Sequence, residues 1–431
     1  MGLRDRGMRQ GAATAGGNDL PPNAALILFA LWLLVFASGS QVMLIAPIFP
    51  RIREQLEVAE AALGTLVAVD AIMLGSMALV AGPISDRIGR RRILLVGSGL
   101  MTIALALHAA ALGYVSLLVV RAMAGAAGGV LSGAAVAYIG DHFPYQRRGW
   151  ANGWVMTGMA FGHIIGIPAG TVLAAHFGFR VPYLAFAGVM AATFLLVWRV
   201  VPQPDVVRSA DRLSIGGAVR GYLGLLRIPA ILAAVVTFGA TFLGHSLFVI
   251  YLPTWLEDTI GASPNQVAAL FFTGGIANVL TGPRAGRLSD RVGRRRLIVG
   301  ATIGMAVMIL SVTFIVRNVT AAFAVFAVLM MLMATRIGPL QALLTQLVPS
   351  ARRGSLMSLA VGTGQLGFAV GGVVAGFTYA HAGFRTSTAI GAALLLATAW
   401  IVWRFIPEPE LHAADYADRP HDPASDGPGP A

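Results

Sequence analysis

The sequence predicts an all-α membrane protein, with about twelve transmembrane helices in two similar six-helix halves. Three observations carry this. Of 431 residues, 57% are hydrophobic and only 12% charged, too little polar surface to cover a soluble core. The apolar residues fall in runs of roughly 18 or more, divided by short charged loops, and they do not alternate as the strands of a membrane β-barrel do. Finally, Gly82 to Arg92 reads GPISDRIGRRR, and a near copy, GRLSDRVGRRR, returns 204 residues later at Gly286 to Arg296. A repeat at that distance is half of the protein written twice.

Taken in order, residues 1–23 are polar and read as a cytoplasmic tail. The apolar run Ala24 to Ile48 that follows is too long for the core of a cleavable signal peptide. Spans of about 20 residues or more are read near 24–48, 61–82, 93–112, 115–140, 151–175 and 181–201, making an N-terminal bundle over 24–201. The stretch 202–229 is the longest break and reads as a cytoplasmic central loop, in which Leu213, Tyr222, Leu223 and Leu226 fit a short interfacial helix. Six further spans near 230–252, 264–283, 297–316, 320–345, 354–380 and 384–403 make the C-terminal bundle over 230–403. The tail 404–431 turns to Pro, Ala, Asp and Gly and is expected to be disordered.

All 31 basic residues are arginine, and the formal net charge is +12. These arginines alternate between loops rather than forming one patch, which argues against a nucleic-acid partner. With both tails inside, 24 arginines fall on the inner side, five on the outer side, and Arg121 and Arg336 lie within spans. This bias places both termini in the cytoplasm and the protein in the cytoplasmic (inner) membrane. There is no cysteine, hence no disulfide framework and no thiolate metal site.

The repeat reaches beyond the loop. Pro144 and Arg147-Arg148-Gly149 return as Pro349 and Arg352-Arg353-Gly354, and Gly178-Phe179-Arg180 returns as Gly383-Phe384-Arg385. Two halves of even span number lie parallel, related by an axis along the membrane normal, with a substrate site expected at their interface. The duplicated loop, G-x-x-x-D-R-x-G-R-R, resembles the loop between helices 2 and 3 of the major facilitator superfamily (MFS) of secondary transporters, echoed there between helices 8 and 9. That resemblance implies a conformational latch at Gly82, Asp86, Arg87, Gly89, Arg90 and at Gly286, Asp290, Arg291, Gly293, Arg294. The plainer alternative is that the arginines only set topology.

Arg121 lies about two turns from the outer end of the fourth span. With Gly125 it matches the R-x-x-x-G pattern of the family's efflux members, where the Arg is associated with proton coupling; snorkelling to the interface is the alternative. Asp70 falls near mid-membrane in the second span, at a similar depth. A carboxyl beside an Arg can exchange a proton as its partner moves, so Asp70 and Arg121 are the candidate proton-coupling pair. A buried structural ion pair is the alternative. Many relatives place the coupling acid in the first span, where this chain has Gln41. Arg336, central in the tenth span, suits an anionic substrate group or a helix carbonyl. Gln41, His245 and Arg336 are the candidate substrate-cavity residues, since the first, fourth, seventh and tenth helices line the cavity in the family's fold.

Glycines recur at four-residue steps: Gly125, Gly129 and Gly133 in span 4, Gly162 and Gly166 beside Pro168 in span 5, Gly367 and Gly371 in span 11. They are read as close-packing or hinge surfaces, those of spans 5 and 11 toward the other half. GIPAG resembles the span 5 signature of drug–proton antiporters, the 12-helix drug or metabolite:proton group, with its Pro one place late. No P-loop, zinc-protease motif or cysteine nucleophile is present, and no cofactor or metal is expected. The expected function is proton-coupled efflux of a small organic solute by an antiporter, with protons and membrane lipids as further partners and a monomer as the unit. Transport of an organic anion or sugar is the alternative within transport. A transport-silent sensor or scaffold is the alternative outside it.

Overall fold

The computed structural model describes residues 20–204, 222–348 and 353–406. The N-terminal tail, most of the central loop including Leu213, and the C-terminal tail from 407 lie outside the described residues. Residues 222–226, with Tyr222, Leu223 and Leu226, are helical.

Ten helices are long and apolar enough to cross a membrane. Pro264–Val292 is long enough but too polar to be among them, with Asn265, Gln266, Thr273, Asn278 and Thr281 along its first turns. Arg353–Phe405 is a single run that reverses at Gly383, where φ is 75°. The reversal brings Thr378 Oγ1 to 2.6 Å from Ser387 Oγ. It also returns Val402 to the cluster that holds Leu356 at the start of the run. Adding Pro264–Val292 and counting both arms about Gly383 gives twelve crossings among the described residues, numbered here as spans 1 to 12.

Four spans are broken, each for a local reason. Span 1 runs Ala24–Leu44 and resumes as Phe49–Leu56, interrupted where Pro47 has no N–H to give. Span 7 repeats this as Pro229–Val249 and Leu252–Ile260. Span 4 runs Tyr114–Leu131 and resumes as Ala134–His142, because Gly133 takes φ 73°. Gly133 therefore ends the helix rather than continuing the stripe of Gly125 and Gly129. Span 5 is Tyr145–Phe161, a π-turn at Gly162–Gly166 and Ile167–Phe177. Pro168 cannot donate to Ile164, and the widened turn sits immediately before it.

Span 2 is Glu60–Ile88, span 3 Arg90–Leu107, span 6 Arg180–Val200, span 8 Pro264–Val292, span 9 Arg294–Ile315 and span 10 Val319–Gln346, and spans 11 and 12 are the arms of Arg353–Phe405 before and after Gly383. The sequence repeat is written into the backbone. Gly89 and Gly293 take φ 101° and 99°, Gly178 and Gly383 take 87° and 75°, and Glu57 and Gly261 take 52° and 71°, each pair 204 or 205 residues apart. The first pair turns the chain at the end of spans 2 and 8, and each amide there bonds the carbonyl of a Ser, Ser85 or Ser289.

The two six-helix halves meet along two seams. Span 2 lies on span 11, where a Cβ at Gly64 would strike the Gly372 carbonyl and one at Gly75 would press on Gln365. The second half of span 5 lies on span 8, with Gly275 against Ile164. At the end opposite the duplicated loop, charged bonds join the halves. Arg53 holds Asp258 through two hydrogen bonds of 3.1 and 3.2 Å and also contacts Glu60. Arg51 stands 3.5 Å from Glu257, and Tyr251 donates to the Glu60 carbonyl at 2.6 Å. Toward the duplicated loop, a cavity of about 290 Å³ opens between spans 2, 3 and 4 and span 11, lined by Ala78, Ser85, Arg90, Ser132, Met357 and Ser358 among others.

Candidate functional site

The N-terminal half carries its charge at its centre. Arg121, on span 4, has no solvent exposure at its side chain, and Asp70, on span 2, has 2%. Their closest atoms, Nη2 and Oδ1, are 3.1 Å apart, an ion-pair distance whose angle is not that of a hydrogen bond. Arg121 Nη1 instead donates to Gln41 Oε1 of span 1 at 3.1 Å. The depth of this burial removes the snorkelling alternative for Arg121. The pair is possible because Gly125 and Gly129 have no side chain. A Cβ at Gly125 would collide with the Asp70 carbonyl, and one at Gly129 with the Leu74 carbonyl and Met77. His108 completes the surroundings, its Nδ1 2.8 Å from the Ala104 carbonyl and its ring 4.0 Å from that of Tyr183.

The C-terminal half uses the same scaffold without the pair. At the repeat's offsets of 204 and 205, Asp70 corresponds to Gly274 and Arg121 to Phe326. These two also touch, since a Cβ at Gly274 would meet the Phe326 ring. One half therefore fills this position with a charge pair and the other with an aromatic ring against bare backbone. Gln41 corresponds to His245. His245 and Arg336 are 6% and 1% exposed. These three candidate cavity residues belong to two separate interiors: Gln41 bonds Arg121 in the first half, while His245 and Arg336 share the second.

The duplicated loop is ordered around Arg90. Its Nε donates to Asp141 Oδ2 at the end of span 4 at 2.6 Å, and its Nη1 donates to the buried Ser85 hydroxyl at 2.9 Å. Arg91 reaches the Trp198 carbonyl at 2.5 Å. The side chains of Asp86 and Asp290 lie outside the described residues. Four of the candidate glycines of spans 5 and 11 face a different way from the expectation. Gly162 and Gly166 lie against Ser40 of span 1, and Gly367 and Gly371 against Gly239 and Ser246 of span 7, each within its own half. The helices approach there because Ser40 and Ser246 are small and donate their hydroxyls to the Phe36 and Leu243 carbonyls of their own helices. Across the halves it is Gly64, Gly372, Gly376 and Gly275 that permit contact.

The cross-half ion pairs were not anticipated among the candidate residues. Their signal was nonetheless in the repeat: Arg53 and Glu54 correspond at offset 204 to Glu257 and Asp258, and Arg53 pairs with the acid one place beyond its own counterpart.

Two pseudo-symmetric six-helix halves, closed on each other at one end and carrying buried charge at mid-depth, define a multi-pass membrane transporter rather than an enzyme. The family model for the Major Facilitator Superfamily matches residues 31–261 and 237–426, and the chain belongs to that family. It is similar to the multidrug resistance protein MdtG of Salmonella typhi, 28% identical over 310 residues, covering 69% of this chain and 75% of that protein. The same protein of Salmonella typhimurium is 27% identical over the same shares. Among solved structures, the D-xylose-proton symporter superposes with a TM-score of 0.75 at 20% identity, over 89% of this chain and 98% of that one. A bacterial homologue of the lysosomal transporter Spinster, inward-facing and unoccupied, gives 0.71 at 15% identity, over 90% and 99%. At these identities the structures speak for the fold alone.

Proposed function

We propose that the protein exports a small organic solute, a drug or metabolite, in exchange for protons by alternating access. It works as a monomer in the cytoplasmic membrane, with both termini and the duplicated loop inside. The observation that carries the reading is the buried Asp70–Arg121 contact at 3.1 Å, an ion pair held without a matched hydrogen bond. Keeping two charges in a low-dielectric interior is expensive unless they are used or fully bonded. Protonation of Asp70 removes one charge and leaves Arg121 held by its bond to Gln41 alone; deprotonation restores the pair. The resemblance to multidrug resistance proteins supports export.

In this reading the bonds of Arg51 and Arg53 to the other half close the outer end, and the cavity beside Ser85 and Arg90 is the inner vestibule of an inward-facing state. The duplicated loop, with Asp86 and Asp290 beside its arginines, latches the outward-facing state. The test is flux of ethidium and carboxyfluorescein in everted vesicles with an imposed pH gradient. Gradient-driven movement of at least one dye that Asp70→Asn abolishes supports proton coupling. Movement of neither dye, or full gradient response in Asp70→Asn, overturns it.

A further inference from the structure

We propose that the outer end carries a regulatory ligand site, separate from the buried charge at mid-depth, which takes an organic cation with an aromatic body and holds the two halves closed. A cavity of about 530 Å³ opens there between the start of span 2 and spans 7, 9, 11 and 12, large enough for a small organic molecule. Its walls include Glu60 from the N-terminal half, and Asp258, Trp255, Tyr379, Phe384 and Arg385 from the C-terminal half. The site therefore exists only while the halves meet at this end. A ligand that touches both walls binds the closed seam better than the open one, and so favours closure.

Charge sets the sign of the ligand. One guanidinium, Arg53, serves both carboxylates of the cavity, Glu60 and Asp258. Arg51 is shared in the same way between Glu54 and Glu257 beside them. In these ion pairs two bases serve four acids, which leaves the seam negative. Arg385 does not correct this. Its guanidinium lies over the Phe314 ring of span 9, 4.5 Å from the centroid, and no ion pair among the described residues joins it to either acid. The side chains of Glu60 and Asp258 are 26% and 37% exposed, so a cation arriving from the medium can reach them without unfolding the seam. A recess lined by one sign of charge concentrates the opposite sign.

The aromatic rings set the body of the ligand. Trp255 and Phe384 stack with centroids 5.0 Å apart, and Tyr379 meets Phe384 edge-on at 6.2 Å. Tyr251, which donates to the Glu60 carbonyl, stacks on Tyr379 at 4.8 Å. Trp255 and Phe384 are buried and Tyr379 is partly exposed, so a fixed aromatic wall reaches the cavity through Tyr379. A cation held between carboxylates and aromatic rings is attracted by both. The wall is not a by-product of the repeat. Phe384 and Arg385 correspond to Phe179 and Arg180, but Trp255 and Tyr379 stand where the first half has Arg51 and Ala174. Arg180 also closes its own half, donating to the Ala111 carbonyl at 2.6 Å, whereas Arg385 lies on Phe314.

The test uses the purified full-length protein in detergent at constant ionic strength, so that it depends neither on orientation nor on the export reading. Thr259, exposed and lining the cavity, is changed to cysteine in this Cys-free chain and labelled with a maleimide. Benzyltrimethylammonium is expected to slow labelling at least fivefold at saturation, and 2-phenylethanol and phenylacetate to do so much less. Asp258→Asn and Tyr379→Leu, each added to Thr259→Cys, are expected to need at least tenfold more of the cation for the same protection. Should either not yield folded protein, Glu60→Gln is read in its place. Closure is read separately with Arg51→Cys and Glu257→Cys, which lie across the seam and outside the cavity wall. The cation is expected to raise their rate of cross-linking by a short bismaleimide at least twofold. The binding site is overturned if the cation protects no better than phenylacetate, or if the folded variants keep full protection. Its role in closure is overturned if cross-linking is unchanged or slowed.

Discussion

Arg121→Ala isolates the physics of the N-terminal core. The substitution leaves Asp70, 1% exposed, with no counter-charge, and breaking a buried pair in this way destabilises by about 3–5 kcal/mol. Asp70→Asn is milder, about 1–3 kcal/mol, because Arg121 keeps its bond to Gln41 Oε1. The C-terminal half supplies the control. The double variant Asp70→Gly with Arg121→Phe copies the Gly274–Phe326 contact and leaves no buried charge. Even with about 1 kcal/mol lost to a helical glycine, it is expected to be more stable than Arg121→Ala. At about 2–4 °C per kcal/mol, Arg121→Ala should unfold about 6–20 °C below wild type. The assay is thermal unfolding of purified protein at one fixed scan rate, since membrane-protein unfolding is commonly irreversible. Wild-type stability in Arg121→Ala, or a double variant less stable than both single ones, would refute the reasoning.

Three other perturbations follow from the same contacts. Gly125→Val would drive its side chain into the Asp70 carbonyl and should cost several kcal/mol, visible as lost folded yield on size exclusion; wild-type yield would mean the helices can part. Arg53 and Asp258 are 36% and 37% exposed, so a double-mutant cycle to Ala should give a coupling of only about 0.2–1 kcal/mol. Cysteines placed at those two positions in this Cys-free chain should nevertheless cross-link when the outer end is closed, and failure to cross-link at all would contradict the closed seam. Single cysteines at Ser85, Ser289 and Ser263 report orientation: Ser263 should label from outside intact cells and the other two should not.

Much of the fold is legible in the sequence because membrane helices announce themselves by length. The turns are legible because Gly89, Gly178, Gly293 and Gly383 occupy conformations that other residues rarely adopt. Span 8 was readable from its place in the repeat even though Asn265, Gln266 and Asn278 make it too polar for a length-and-apolarity criterion. Asp70 and Arg121 could be matched by depth, since depth follows from counting residues. Facing direction could not. The stripes of Gly162 and Gly367 turn toward spans 1 and 7 of their own halves, and nothing in a four-residue spacing says which neighbour a bare face will meet. Breaks inside spans were also hidden, because a single backbone choice at Gly133 ends a helix whose apolar pattern continues. The Arg53–Asp258 seam needed the symmetry applied to charge rather than to motif.

The most direct measurement is dye flux in everted vesicles carrying wild type, Asp70→Asn or Arg121→Ala, each with and without an imposed pH gradient. Wild type should accumulate at least one of ethidium and carboxyfluorescein against its concentration when the gradient is present. Asp70→Asn should lose that accumulation while retaining exchange down a dye gradient, and Arg121→Ala should lose it too wherever it folds. Full gradient-driven accumulation in Asp70→Asn would make the buried pair structural and place proton coupling, if any, elsewhere in the chain.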